Sequence, residues 1–414
     1  MGTRKLTARA LNRATLARQL LLNREPLDVV EAVRRIVALQ AQQPASPYIA
    51  LWNRLAPFDP TTLDAAMTDH RLVRATLMRI TVHTVHADDY VPFREAMEPT
   101  LRGSRLGDPR FRASGLTASD ADSFLPPLLK YADGSPRTAA ELRTWLEEHL
   151  GTTAPDTATA PDTATAPDTA AHRMLRHYAP LWHAPTGGPW SFDTRQSYVA
   201  ASPRPSLTDP DAATHGLRTL IRCYLQGFGP ASVADMAQFA LVQQSRIRTA
   251  LQPLSEELEV LQAPDGKSPL YDLPGAPRPP EDTPAPPRLM AMWDSTLLAY
   301  ADRGRVLPAE YRKFVTRMNG DVLPTLLVDG YVAGVWRPVP PPEGQPNGPH
   351  DGTGAIEATA FHPLPDEVWA ALAEEAASLV TFLATRDPAP YRRYDHWWTK
   401  PLPPTAESRV LPGG

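Results

Sequence analysis

Residues 229–273, GPASVADMAQFALVQQSRIRTALQPLSEELEVLQAPDGKSPLYDL, leave the chain few choices of fold. After a helix start at Pro230–Ser232, Val233, Met236, Ala237 and Ala240 recur at helical spacing. Ile247, Ala250, Leu251 and Leu254 do so again from about Gln243. Leu258–Leu261 then alternates as a strand, Asp265-Gly266 supplies a hairpin turn, and Leu270–Leu273 returns. Two short helices closed by a β-hairpin form the pattern of a winged helix.

The same order recurs more loosely in two other places. From Thr117 to about Ala201, two helices are expected first, the second starting at Ser135–Thr138. AHRMLRHYAPLWHAP reads as helical and WSFDTRQSYVA as wing-like strands. In the N-terminal part, helices are expected at Ala8–Leu21, Asp28–Leu39 and Pro47–Leu55, followed by LVRATLMRITVHTVH as an alternating strand pair. Farther on, RLMAMWDSTLLAYADRGRVLP and VLPTLLVDGYVAGVWRP read as strand, helix and a hairpin turning at Asp329-Gly330. The expected fold class is α+β. Tandem winged-helix units at 6–115, 116–205 and 211–275 precede a C-terminal α/β region at 288–400, which carries a β-hairpin at 325–337. Residues 154–170 repeat Ala-Pro-Asp-Thr-Ala three times. With nothing large to bury, this part of 151–170 is expected to be an unfolded insertion. The Pro-rich stretches Pro274–Pro287 and Pro338–Pro349 mark a linker and a loop.

Composition narrows the function classes. A single cysteine, Cys223, excludes a disulfide framework and a thiolate metal cage. No run approaches the ~18 apolar residues of a membrane span, and the basic N-terminus lacks the apolar core of a secretion signal. A cytoplasmic protein without a membrane partner is expected. The net charge of −4 argues against nucleic acid until its distribution is considered. Residues 1–115 carry 17 Lys and Arg against 11 Asp and Glu, a bias that suits phosphate neutralisation and disfavours a pure protein-interaction scaffold. An Arg-rich composition would also produce such a cluster by chance.

Within the basic part, Gln40 and Gln42 follow the helix expected at Asp28–Leu39 and precede Pro44. Residues two apart diverge on a helix but project to one side of an extended chain. Pro44 is read as the helix stop, and Ser46-Pro47 as the start of the next helix. The residues alone leave two readings open, solvated amides at a helix end or two amides aimed at one point. Downstream, His83 and His86 are read onto one strand with a shared face, and Arg79, Thr81 and His83 likewise. Half-buried strand histidines are the ordinary explanation, and contacts toward phosphate the functional one. No carboxylate or Cys follows at ligand spacing, so neither metal nor cofactor is expected.

LQAQ with YIALWNRL, LMRITVHTVHADDY, FGPASVADMAQF, DSTLLAYADRGRV and TLLVDGYVAGVWR occur in this order through nearly the whole chain. Together they resemble the winged-helix DNA-binding family of actinobacteria that includes the AlkZ-like DNA glycosylases. The resemblance implies tandem winged helices around a concave DNA channel. It also implies a monofunctional glycosylase, monomeric and nucleoid-associated, acting on double-stranded DNA with alkylated bases or interstrand crosslinks. Gln40-Ala41-Gln42 matches the family's catalytic Gln-x-Gln, with Ala as a minimal apolar middle residue; Gln43 lies outside the motif. Arg79 and His83 match MRxTxH and are expected DNA contacts, and Arg35 and Arg54 complete that set. The hairpin 325–337 is a further candidate for the groove, although Leu326, Val328, Val332 and Val335 read as core. Asp302, Arg303 and Arg305 also resemble a family motif, and an exposed ion-paired turn explains them equally well. The alternative from another class is a non-catalytic winged-helix DNA-binding protein, a regulator or adduct binder. The pair of glutamines favours the enzyme.

Overall fold

The computed structural model describes residues 5–150, 170–192, 195–339 and 354–412, so all of the repeat except Ala170 lies outside the described residues. Antiparallel pairing groups the described strands into three sheets. The largest contains β1 (Leu39–Gln40), β2 (Leu72–Thr76), β3 (Val82–His86), β4 (Arg137–Thr138), β5 (Leu181–Ala184) and β6 (Ser197–Ala200). Their order is β1-β3-β2-β5-β6-β4. Strands expected in the first and second units therefore share one sheet, joined where Arg74 on β2 faces His183 on β5.

The segment at 229–273 folds as its pattern dictates. Ser232 caps the helix Val233–Ala240, with Asp235 completing the reciprocal box of hydrogen bonds. Leu241, left-handed at φ 58°, stops that helix, and Gln244–Leu251 follows. β7 (Glu259–Gln262) and β8 (Pro269–Asp272) form the two-stranded sheet. The remaining sheet, in the order β13-β12-β11-β10-β9, comprises β9 (Arg288–Leu289), β10 (Thr325–Val328), β11 (Tyr331–Pro338), β12 (Ile356–Ala360) and β13 (Glu407–Leu411).

Beside a small cluster that joins Leu6 and Leu11 to Leu261 and Leu270 of the β7–β8 hairpin, two large apolar cores run across these sheets. One packs Leu16, Ile36, Tyr48 and Leu51 from the N-terminal part against Leu289, Leu326, Val335, Trp336 and Trp369 of the C-terminal part. The other gathers Val73, Val85, Phe93, Leu128, Tyr178, Tyr224 and Phe239 around the helices Ala87–Leu106 and Pro210–Phe228. Among the described residues no helix is long and apolar enough to cross a membrane.

Four local expectations are corrected. The helix expected at Asp28–Leu39 spans only Val29–Arg35; residues 36–38 turn out of it, and Leu39 begins β1. LWHA, within the segment read as helical, is β5. It follows Pro180, which cannot continue the helix Ala170–Tyr178. The helix expected after β9 is replaced by two single 3-10 turns, Ser295–Leu297 and Arg303–Arg305, capped by Asp294 and Asp302. The tip of hairpin 325–337 is not free to enter a groove. Arg9 pairs with Asp329 at 2.6 Å, Arg13 also pairs with it, and Gly330 lies against Leu16 and Asn12.

Candidate active site

The helix that leads into the glutamine pair stops early, and its stop is tertiary. Ile36 ends the helix Val29–Arg35, and Val37 takes φ 76°, a conformation that a β-branched residue rarely adopts. Val37 is held there by close packing, since a Cβ on Gly227 would meet its Cγ2 at 2.6 Å. Gln19 secures the bend by donating from Nε2 to the Gly227 carbonyl at 2.8 Å, and Ser295 Oγ donates to the Ala38 carbonyl at 3.0 Å. Pro44 instead begins the next helix, Ala45–Trp52. Leu39 and Gln40 are thereby freed to form the short strand β1, and the chain bends from Gln42.

Pairing with β3 then sets the side chains. Gln40 sits directly opposite His83, so the two share a face of the sheet. The Ala41 N–H donates to the Val82 carbonyl at 2.8 Å. On its other side the Ala41 carbonyl accepts two bonds from Arg74, at 3.2 Å from Nε and 2.8 Å from Nη2. Gln42 follows at a bend just past β1, and the two amides meet: Gln40 Nε2 donates to Gln42 Oε1 at 2.5 Å. Gln40 is buried and Gln42 is exposed. Gln43 turns away and donates to the Pro390 carbonyl.

Arg79 comes to the same point by an unusual backbone path. The turn between β2 and β3 puts Arg79 at φ 53° and Ile80 at φ 60°. Left-handed backbone at residues other than glycine costs about 1–2 kcal/mol each. The turn directs the half-buried guanidinium back over the strands. Its Nη2 reaches Gln40 Oε1 at 2.7 Å and His83 Nε2 at 3.0 Å, and its Nη1 donates to the Phe239 carbonyl at 3.1 Å. The Phe239 ring, on the helix Val233–Ala240, lies 5.3 Å from the guanidinium carbon.

Among the described residues no carboxylate pairs with Arg79. Burial, and then the charge of Arg303, pull its pKa down to about 10, so it stays protonated at neutral pH. Arg74 is equally without a carboxylate partner, and burial lowers it to about 10; its guanidinium lies over Phe192 at 4.2 Å. His83 is held well below the usual imidazole range, first by burial and then by the Arg79 charge. The site is therefore a file of neutral amides and a neutral imidazole between two cations. No three His, Cys, Asp or Glu side chains among the described residues come together as a metal-binding group.

Of the six residues singled out from sequence, Gln40, Gln42, Arg79 and His83 converge. His83 is fully buried and faces Arg79 instead of solvent, which corrects the expectation that it touches DNA. It does not share a face with His86, because an odd spacing along a strand reverses the side chain; His86 caps the helix Ala87–Leu106. Arg54 is also corrected. It is 1 % exposed, pairs with Asp294 through two bonds of 2.9 Å, and donates to the carbonyls of Gln19 and Ala50 and to Thr296. A guanidinium so enclosed cannot reach a phosphate. Arg35 stands half-buried at the end of its helix with no ion pair among the described residues.

Arg74 and Phe239 escaped the sequence reading. An arginine within the apolar alternation of LVRAT was the one signal for Arg74. Nothing local pointed to Phe239, which acts through its backbone carbonyl.

Comparisons with known proteins bear on this geometry. The model of a family described as DNA glycosylase AlkZ-like matches residues 33–382. An interstrand DNA cross-link repair glycosylase of Streptomyces sahachiroi is 24% identical over 326 residues, covering 78% of this chain and 85% of that protein. The solved structure of the Streptomyces sahachiroi DNA glycosylase AlkZ superposes with a TM-score of 0.69 at 21% identity, covering 93% of this chain and 99% of that one.

Proposed function

The chain belongs to the AlkZ-like DNA glycosylase family, and from that premise we propose that it excises cationic N7-alkylated purines, crosslinked ones included, through Gln40 and Gln42. The observation that carries this reading is the convergence of the two amides at 2.5 Å in a site that is otherwise neutral or cationic.

The chemistry follows from what an amide can do. Water attacks C1′ of the deoxyribose, the C1′–N9 bond breaks, and its electron pair neutralises the positive charge of the alkylated base. The products are an abasic sugar, a neutral purine and a proton released to solvent. A base that already carries positive charge needs no acid to leave, and an amide can supply none at neutral pH. What remains is to hold the water and to face the developing sugar cation with negative dipole ends. Each glutamine oxygen keeps a second lone pair beyond the bond it already accepts. An intact base, which leaves poorly unless protonated, gains too little from such a site, and selectivity for damage follows. The C-terminus of the preceding helix adds little to this field, because that helix ends at Arg35 and is only seven residues long. None of the five lysines lies on the strands or turn that form the site, which supports hydrolysis by water over amine attack.

Tandem winged-helix units forming a DNA channel are the frame proposed for substrate binding. Support comes from the helix–helix–hairpin arrangement at 229–273, whose Phe239 contacts the site through Arg79. Arg35 is a proposed backbone contact. Arg312, Lys313 and Arg317, which line one groove with Glu310 beside the fully exposed Met318, are further proposed backbone contacts. The test is a duplex with a single N7-methylguanine. Wild-type protein is expected to leave abasic sites. Gln40→Ala with Gln42→Ala is expected to slow excision ~10²–10³-fold, the range found when a stabilising dipole is removed. Tight binding with no abasic product from the wild type would support a non-catalytic DNA binder in place of this reading.

A further inference from the structure

A glutamine amide has two ends of nearly equal shape and opposite chemistry, and an unconstrained one presents either. Water-holding requires the carbonyl ends in defined places. The hydrogen bonds around Arg79 leave only one assignment. His83 Nδ1 lies 3.0 Å from the Thr81 carbonyl, which can only accept, so Nδ1 carries the proton. The imidazole is neutral, and Nε2 is therefore a bare acceptor facing Arg79 Nη2. Arginine has no acceptor atom, so the atom of Gln40 that lies 2.7 Å from Nη2 must be its oxygen. The Gln40 nitrogen is then turned to Gln42, and because that nitrogen donates, the Gln42 atom receiving it must also be oxygen. Order runs in one direction, from the Thr81 carbonyl through His83 and Arg79 to both amides.

We infer that Arg79 is a positioning residue, locked by His83, which fixes the end of each glutamine amide that meets the substrate. The inference rests on the proposed role of Gln40 and Gln42 and deepens it. Both terminal nitrogens of Arg79 are already engaged by Gln40, His83 and Phe239, which favours positioning over contact with phosphate. A lysine could not take its place, because an ammonium is a point donor and cannot span three acceptors in the plane of a fork. The left-handed backbone at Arg79 and Ile80 fits the same role, since strain of this kind persists where a side chain must be aimed.

Single-turnover excision of N7-methylguanine and equilibrium DNA affinity, measured on the same duplex, separate the possibilities. Arg79→Ala and Arg79→Lys are expected to slow excision ~10²-fold while the Kd and its salt dependence stay as in the wild type. Millimolar methylguanidinium is expected to restore a large part of the Arg79→Ala rate and none of the Gln40→Ala rate, a recovery that a merely structural defect would not show. His83→Phe, which removes the acceptor behind Arg79, should give the same rate loss without weaker binding. It serves as the second variant should Arg79→Ala fold poorly. An unchanged excision rate, or a weaker Kd with a salt slope reduced by about one phosphate contact, would overturn the inference. Loss of activity in the glutamine variants alongside full activity in Arg79→Ala would sink this inference alone. Wild-type rates in the glutamine variants would sink the reading beneath it.

Discussion

The hairpins β2–β3 and β10–β11 are both antiparallel pairs, yet their turns hold different things. The β10–β11 turn is Asp329-Gly330, with φ of 48° and 81°, the residue types that a tight turn of this hand prefers. Its charge is matched. Burial raises the Asp329 carboxyl, but Arg9 and Arg13 override it and hold the carboxyl below its usual range. The β2–β3 turn takes the same left-handed backbone with Arg79 and Ile80, which dislike it, and its cation has no carboxylate partner among the described residues. In the first hairpin local preference, charge and packing agree. In the second they conflict, as they tend to where a site is built at the expense of the fold.

The contrast between matched and unmatched charge extends into the interior and can be broken there. Arg54 and Asp294 are both buried, and all the donors of Arg54 are used. Asp294 is pushed up by burial and brought below its usual range by Arg54. Asp294→Ala would strand a guanidinium in the core, and unfolding in urea is expected to show a loss of about 3–5 kcal/mol. A loss below about 1 kcal/mol would mean that the paired cations here are no more structural than the unpaired ones at the site.

The second test concerns the matched turn itself. A Cβ on Gly330 would fall 2.5 Å from Leu16 Cδ1 and 2.6 Å from Asn12 Oδ1, at a φ that alanine resists. Gly330→Ala is expected to cost about 1–3 kcal/mol by thermal or urea unfolding. Excision per folded molecule should be unchanged. A selective loss of excision would return this hairpin to the DNA-contacting role that its docked tip argues against.

How much of this was legible depended on whether the cause was local. The Asp329-Gly330 turn was, because Asp-Gly between alternating apolar residues has a local mechanism. So was the pair of helices at 229–273, whose Ser232 and Asp235 cap each other. The stop before Gln40 was not: valine has no preference for the left-handed region, and Val37 adopts it because Gly227, 190 positions away in the chain, leaves it room. Pro44 was the visible helix breaker and acted one element too late. The same holds for the arginines. Arg54 and Arg79 look alike in sequence, and only their partners, Asp294 for one and Gln40, His83 and Phe239 for the other, separate core from site. Both amides meet because strand pairing put Gln40 opposite His83, a register that no spacing within 34–55 contains.

The smallest expected effect draws the sharpest line between the two regions. Arg79→Met removes a cation that burial disfavours and keeps an unbranched apolar stem, with its sulfur near the Phe239 ring. Against that gain stand the lost bonds to Gln40, His83 and the Phe239 carbonyl, each worth about 1.5–3 kcal/mol at most for a charged donor. The desolvation of an unpaired guanidinium is of the same order as their sum, so the two should nearly cancel. Stability is expected to move by less than about 1 kcal/mol in either direction, read from urea midpoints at constant m-value. The excision rate of the same variant should fall as for Arg79→Ala. A loss above about 3 kcal/mol would place Arg79 with Arg54 among the residues that hold the fold, and the distinction between the two hairpins would fail with it.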